Sequence, residues 1–71
     1  MRRYVILIEP TTSGFSSYSP DIPGCVATGT TRPDVEINMR DAIALHLEGL
    51  RAHGQPVPPP STSASYVEVA A

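Results

Sequence analysis

The sequence predicts an α+β fold in the order β-β-β-α-β, an antiparallel sheet with one long helix packed on one face. Three observations carry that prediction. A dense apolar run, Tyr4 to Ile8, lies near the start and is followed by two further short segments of strand character. A cluster of turn residues, Ser19-Pro20-Asp21-Ile22-Pro23-Gly24-Cys25, separates the second and third segments. A single stretch with helical periodicity then runs from residue 32 to 53.

The first strand is expected over residues 3–9. Tyr4, Ile6 and Ile8 point to one face, and Val5 and Leu7 point to the other. Both faces are therefore apolar, whereas one helix covers only one of them. The second face calls for cover, and another subunit would supply it. Residues 10–14 form a polar loop. The second strand, residues 15–19, is short and rich in serine, with Phe15 and Tyr18 on opposite faces.

The turn cluster closes the hairpin to the third strand, residues 25–30. Pro23 presets φ at the second position of a type II turn, and Gly24 supplies the positive φ that the third position needs. Ser19-Pro20-Asp21 reads as another turn just before it. Gly29 marks the strand end, and Thr31 is placed to cap the helix, with Pro33 in the first turn and Asp34 near the positive end of the helix dipole.

The helix carries Val35, Met39, Ala42, Ile43, His46, Leu47 and Leu50 in one stripe. Asp34, Glu36, Arg40, Asp41, Glu48 and Arg51 lie on or near the wet side, and Ile37 lies nearly opposite the stripe. Gly49, at the stripe's edge, is read as a point of close approach to the sheet. Gly54 ends the helix as its C′ residue. Residues 54–63, with Pro56 and Pro58-Pro59-Pro60, form an extended proline-rich connector. Residues 65–70 are expected to be a short last strand, joined to the chain's own sheet or exchanged with a neighbouring subunit.

Seventy-one residues make one domain. A chain of that size buries only about 60% of its unfolded surface, so its core is small. Cys25 is the only cysteine and reads as a half-buried apolar residue, so no intrachain disulfide reinforces the fold. A single cysteine with no leader segment points to a reducing cytoplasm, and no apolar run is long enough for a membrane span. Net charge is −2, and the five cationic side chains are Arg2, Arg3, Arg32, Arg40 and Arg51, which form no dense cluster. That balance speaks against direct binding to a phosphate backbone and suits a basic partner.

No catalytic constellation emerges. His46 and His53 stand about 10 Å apart along a helix, too far to share a metal. The four serines between residues 13 and 19 lack a nucleophile elbow, and there is no phosphate-binding glycine loop. A two-metal nuclease needs converging carboxylates, and the first strand has none among its central residues. No enzymatic activity and no cofactor are expected.

The order Tyr18-Ser19-Pro20-Asp21-Ile22-Pro23-Gly24-Cys25-Val26, then Gly29-Thr30-Thr31, then the helix segment from Asp41 to Leu50, then Gly54-Gln55-Pro56-Val57-Pro58-Pro59-Pro60-Ser61 resembles the HicB antitoxin family. The matches run through most of the chain. Departures are Arg32-Pro33-Asp34-Val35, where the family more often has Glu-Glu-Ala, and the serine-rich second strand. The resemblance implies a partial ribonuclease H-like fold without its active site. It also implies an antitoxin that binds a small, basic, mRNA-cleaving HicA-like toxin and blocks its active site. Many members carry a further DNA-binding domain; this chain ends at Ala71, and no direct DNA binding is expected of it. Tyr18, Asp21, Ile22, Asp34 and Glu36 are the residues expected to meet a partner. Pro20, Pro23, Gly24, Cys25, Gly29, Thr31 and Gly54 are expected to shape the fold. The competing reading is a solitary oligomeric binding module without a toxin. A homodimer or larger homo-oligomer is expected on either reading.

Overall fold

The computed structural model describes residues 1–71. Strands β1 (Leu7–Pro10), β2 (Phe15–Tyr18) and β3 (Val26–Gly29) are followed by helix α1 (Arg32–Ala52). The sheet is antiparallel throughout, in the order β1-β2-β3. The α+β class and the order of the first four elements are those the sequence predicts.

Two turns explain why the strands are shorter than expected. The Ile22 amide donates to the Ser19 carbonyl at 3.2 Å, and the Cys25 amide donates to the Ile22 carbonyl at 3.2 Å. Ser19 and Cys25 are thereby drawn into the connection, and the sheet stops at the Tyr18↔Val26 pair. Leu7 faces Tyr18 at the same level, so residues 3–6 have no strand residue of β2 left to pair with. Gly24 has φ +80°, the left-handed conformation of a type II turn, where a side chain would be strained.

Register sorts the sheet into two faces. Ile8, Ser17 and Ala27 lie level with one another, and this face turns to the helix. The core there consists of Ile22, Cys25, Met39 and Leu47, with Tyr4, Ile6, Ala27, Ala42, Ile43, Leu50 and Val57 packed around them. Ile22, Val35 and Met39 are fully buried. Only seven residues of 71 are buried, so each carries an unusual share of the stability. Burial also pushes the Cys25 thiol up, which keeps it protonated and unreactive.

The helix begins as its sequence directs. Thr31 Oγ1 accepts the Asp34 amide at 3.2 Å, and Thr30 Oγ1 donates to the Asp34 carboxylate at 3.0 Å. The first turn sits hard against the end of β3: a Cβ built on Gly29 would come within 2.5 Å of the Val35 amide nitrogen. Only glycine allows that contact. Gly49 differs from its expected role. A Cβ there meets nothing within 4 Å, so the helix makes no close approach at this point. At the other end the Gly54 amide donates to the Arg51 carbonyl and Gly54 takes φ +66°, the expected C′ geometry.

The expected last strand is absent. Residues 55–71 contain no regular secondary structure, and no backbone group beyond Gln55 pairs with another backbone group. The proline-rich connector is nevertheless anchored. Val57 packs on the core, Tyr4 Oη donates to the Pro58 carbonyl at 2.5 Å, and Asp21 grips Ser61 and Thr62. Beyond that grip every residue to Ala71 is exposed. A strand needs a hydrogen-bonding neighbour, and the chain's own sheet does not provide one to this segment.

Candidate partner-binding surface

The helix covers one face of the sheet and leaves the other open. The level shared by Leu7, Tyr18 and Val26 lies on that open face. Tyr18 is 42% exposed and Val26 68% exposed, while Leu7 is half-buried. The next level, Glu9, Ser16 and Thr28, is polar. The open face is thus an apolar row, one residue wide on each strand, bordered by a polar one. An apolar centre with a polar border is the anatomy of a protein–protein contact surface.

Tyr18, one of the residues expected to meet a partner, lies part-exposed on this open face. Leu7 and Val26 stand beside it, although the sequence reading did not select them. The signal available for them is the strand pairing: once the turn at residues 19–25 sets the register, both fall level with Tyr18.

Ile22 does not belong to this surface. It is fully buried among Cys25, Met39 and Leu47, because the two consecutive turns point its side chain inward. The expectation that it meets a partner is corrected by that burial. Asp21 is engaged by its own chain. One carboxylate oxygen accepts the Ser61 and Thr62 amides at 3.0 and 2.9 Å, and the other accepts their hydroxyls at 3.1 and 2.7 Å. Hydrogen bonds from the Thr62 amide and hydroxyl outweigh the opposing desolvation and, with lesser help from Ser61, hold the carboxylate's pKa below its ordinary value.

Asp34 and Glu36 form a separate exposed patch on the first turns of the helix, away from the open face. Asp34 is tied to Thr30 and Thr31. Glu36 pairs with Arg32 at 3.5 Å across one turn, both side chains being well exposed, a pair of little energetic weight. The residues expected to shape the fold do so: Pro20, Pro23, Gly24 and Cys25 build the turns and core, Gly29 seats the helix, Thr31 caps it and Gly54 ends it.

No group of three His, Cys, Asp or Glu side chains is placed to hold a metal ion. His53 Nδ1 lies 2.8 Å from the Gly49 carbonyl, at the helix end, and His46 is half-buried in the apolar stripe. No helix is long and apolar enough to cross a membrane.

The sheet, its single helix, the turn between β2 and β3 and the anchored connector together define a small α+β fold with one uncovered sheet face. A sequence model described as the HicB-like antitoxin of bacterial toxin–antitoxin systems matches residues 4–70, and the chain belongs to that family. Among solved structures it is similar to a chain of the HicA3 and HicB3 toxin–antitoxin complex, with a TM-score of 0.73 and 43% identity over 83% of this chain and 70% of that one. It is also similar to the antitoxin HicB3, with a TM-score of 0.72 and 42% identity over 84% of this chain and 44% of that one. Among curated proteins it is 31% identical over 64 residues to an uncharacterized 14.9 kDa protein of Haemophilus phage HP1, covering 90% of this chain and 48% of the phage protein. It is 30% identical over 57 residues to a UPF0150 protein of Thermoplasma acidophilum, covering 79% and 83% of the two chains. The chain therefore spans about half the length of its phage relative and most of the archaeal one.

Proposed function

We propose that the chain neutralises a small, basic, mRNA-cleaving HicA-like toxin by binding it directly, acting in the cytoplasm without chemistry of its own. The observation that carries this reading is the likeness, at 43% identity, to a chain from a complex of a toxin with its antitoxin. The uncovered Leu7-Tyr18-Val26 row offers a contact surface, and the net charge of −2 favours approach of a cationic protein. Tyr18 is the anchor of that surface, and Asp34 and Glu36, in a separate patch at the helix start, add to the negative charge that draws a cationic partner in. Asp21 supports the contact from behind by fixing the connector.

The test is an RNA-cleavage assay with the product of any small basic HicA-like gene that adjoins the gene for this chain. Cleavage is expected to stop at stoichiometric addition of the antitoxin. Val26→Asp is expected to weaken inhibition at least tenfold, since it places a carboxylate in the apolar row, where its desolvation costs more than about 1.4 kcal/mol. Cleavage that continues at saturating excess rejects the proposal and leaves the solitary oligomeric module as the reading to pursue.

A further inference from the structure

We infer that the outer flank of α1 around Gly49 is a second contact surface for the basic partner, and that it receives a cationic helix of that protein. The inference rests on the reading of the chain as an antitoxin and extends it to a face away from the open side of the sheet. Three observations on this flank are not accounted for by the packing of the single chain.

The first is Gly49 itself. It lies inside the helix, where glycine costs about 0.5–1 kcal/mol relative to alanine, yet a Cβ there would meet nothing within 4 Å. The second is Leu45, one turn earlier, which is 71% exposed. The third is a groove of about 410 Å³ that Leu45, His46, Gly49, Leu50, His53 and Gln55 line together. A missing side chain, an uncovered leucine and a hollow between two imidazoles fit one event: another helix laid across α1, closest at Gly49. The backbone is prepared for such cover. The Gly49 carbonyl already accepts the His53 amide at 3.2 Å and His53 Nδ1 at 2.8 Å, so burying it leaves no unmet acceptor.

Placement and charge narrow the occupant. Asn38, Leu45 and Gly49 follow one another at i, i+7 and i+11, a single line along the helix. Asn38 reaches the Thr28 carbonyl, which puts that line on the β3 side. Arg40 turns the other way, into the groove lined by Tyr4 and Ile6, and Arg51 follows it at i+11. Asp41 and Glu48 border the Leu45 line instead. Asp41 lies 3.6 Å from Arg40 in an exposed pair of little weight, and Glu48 has no ion pair. With Nδ1 donating to Gly49, Nε2 of the neutral His53 ring is a further acceptor. The flank thus joins an apolar centre to a border of acceptors and negative charge. A helix with a small residue at the crossing and Lys or Arg beside it matches both. β3 is an edge strand and carries Val26, so a partner that wraps this edge reaches the helix flank and the open sheet face together.

The test is calorimetric titration of the full chain with the HicA-like toxin of the cleavage assay. Gly49→Leu, which fills the crossing point, and Leu45→Asp, which charges the apolar centre, are each expected to weaken binding at least tenfold. Neither change meets a packed neighbour in the free chain, so its helical circular dichroism should stay the same. Gly49→Ala is expected to raise the melting temperature of the free chain while lowering its affinity severalfold, a split that a purely structural glycine does not produce. Glu48→Lys is expected to slow association. A toxin that does not bind the wild-type chain overturns both this inference and the antitoxin reading. A toxin that binds the wild type, and binds either Gly49→Leu or Leu45→Asp as tightly, overturns the inference alone and leaves the sheet row as the contact.

Discussion

Asp21 and Thr62, forty-one positions apart, are joined by two hydrogen bonds to one carboxylate: the Thr62 amide at 2.9 Å and its hydroxyl at 2.7 Å. With the matching pair from Ser61, this contact ties the β2–β3 turn to the connector that follows the helix. A turn residue and a distant strap thus fix each other's position.

Asp21→Ala is expected to release the connector. Amide exchange at Ser61 and Thr62 should accelerate at least tenfold, while exchange in α1 stays unchanged. Asp21→Asn should fall between, because its amide nitrogen cannot accept the bonds that one carboxylate oxygen now takes. The carboxylate's pKa is lowered in the folded chain, so the linkage has a definite sign. The grip is fully present above the ordinary carboxylate value of 3.8 and is lost as pH falls through the depressed one. Exchange measured from pH 6 downward should show no change at the two amides, beyond the intrinsic trend, until that acidic range.

Gly29→Ala is expected to destabilise the domain by about 1–3 kcal/mol, the usual cost of forcing an extra carbon into a packed contact. The added Cβ would meet backbone atoms of Asp34 and Val35, which cannot swing aside as a side chain can. Urea denaturation of the two proteins measures the difference. An unchanged midpoint would mean that the helix start is free to shift.

Ser17→Ala is expected to stabilise. Ser17 is buried on the helix side of the sheet, level with Ile8 and Ala27, and its hydroxyl finds no partner. Removing an unsatisfied buried hydroxyl returns about 1 kcal/mol. In a domain this small that corresponds to a rise of about 4–8 °C in melting temperature, readable by calorimetry.

Gly49→Ala is expected to stabilise by about 0.5–1 kcal/mol, the difference between the two residues in a helix interior. Nothing stands in the way of the new methyl group. Thermal denaturation followed by circular dichroism tests it, and a loss of stability would show that the helix needs the space.

Much of this molecule was legible in its sequence, and what was legible was local. Pro23-Gly24 specifies a type II turn through its own dihedral preferences, and Thr31 with Asp34 specifies a cap through one side chain and one amide. The stripe from Val35 to Leu50 reports its buried side by spacing alone. The failures concern relationships between distant residues. Ile22 sits in a turn and looks exposed, yet two successive hydrogen-bonded bends aim it at Met39 and Leu47. Asp21 reads as a turn residue or a partner contact, while its real partners lie forty positions away. Leu7 and Val26 join Tyr18 only when strand register is known. The last segment has the alternation of a strand, but alternation cannot name the edge that it would join.

The bond from Asn38 to the Thr28 carbonyl bears on solubility as well as on architecture. A sheet with two bare edges can recruit copies at both, and such growth has no natural end; fibres form in this way. Here one side chain of the helix bonds a carbonyl of β3, which blunts that strand as a template for a neighbour. The four-residue strands work in the same direction, because a short edge offers few groups for a neighbour to pair with.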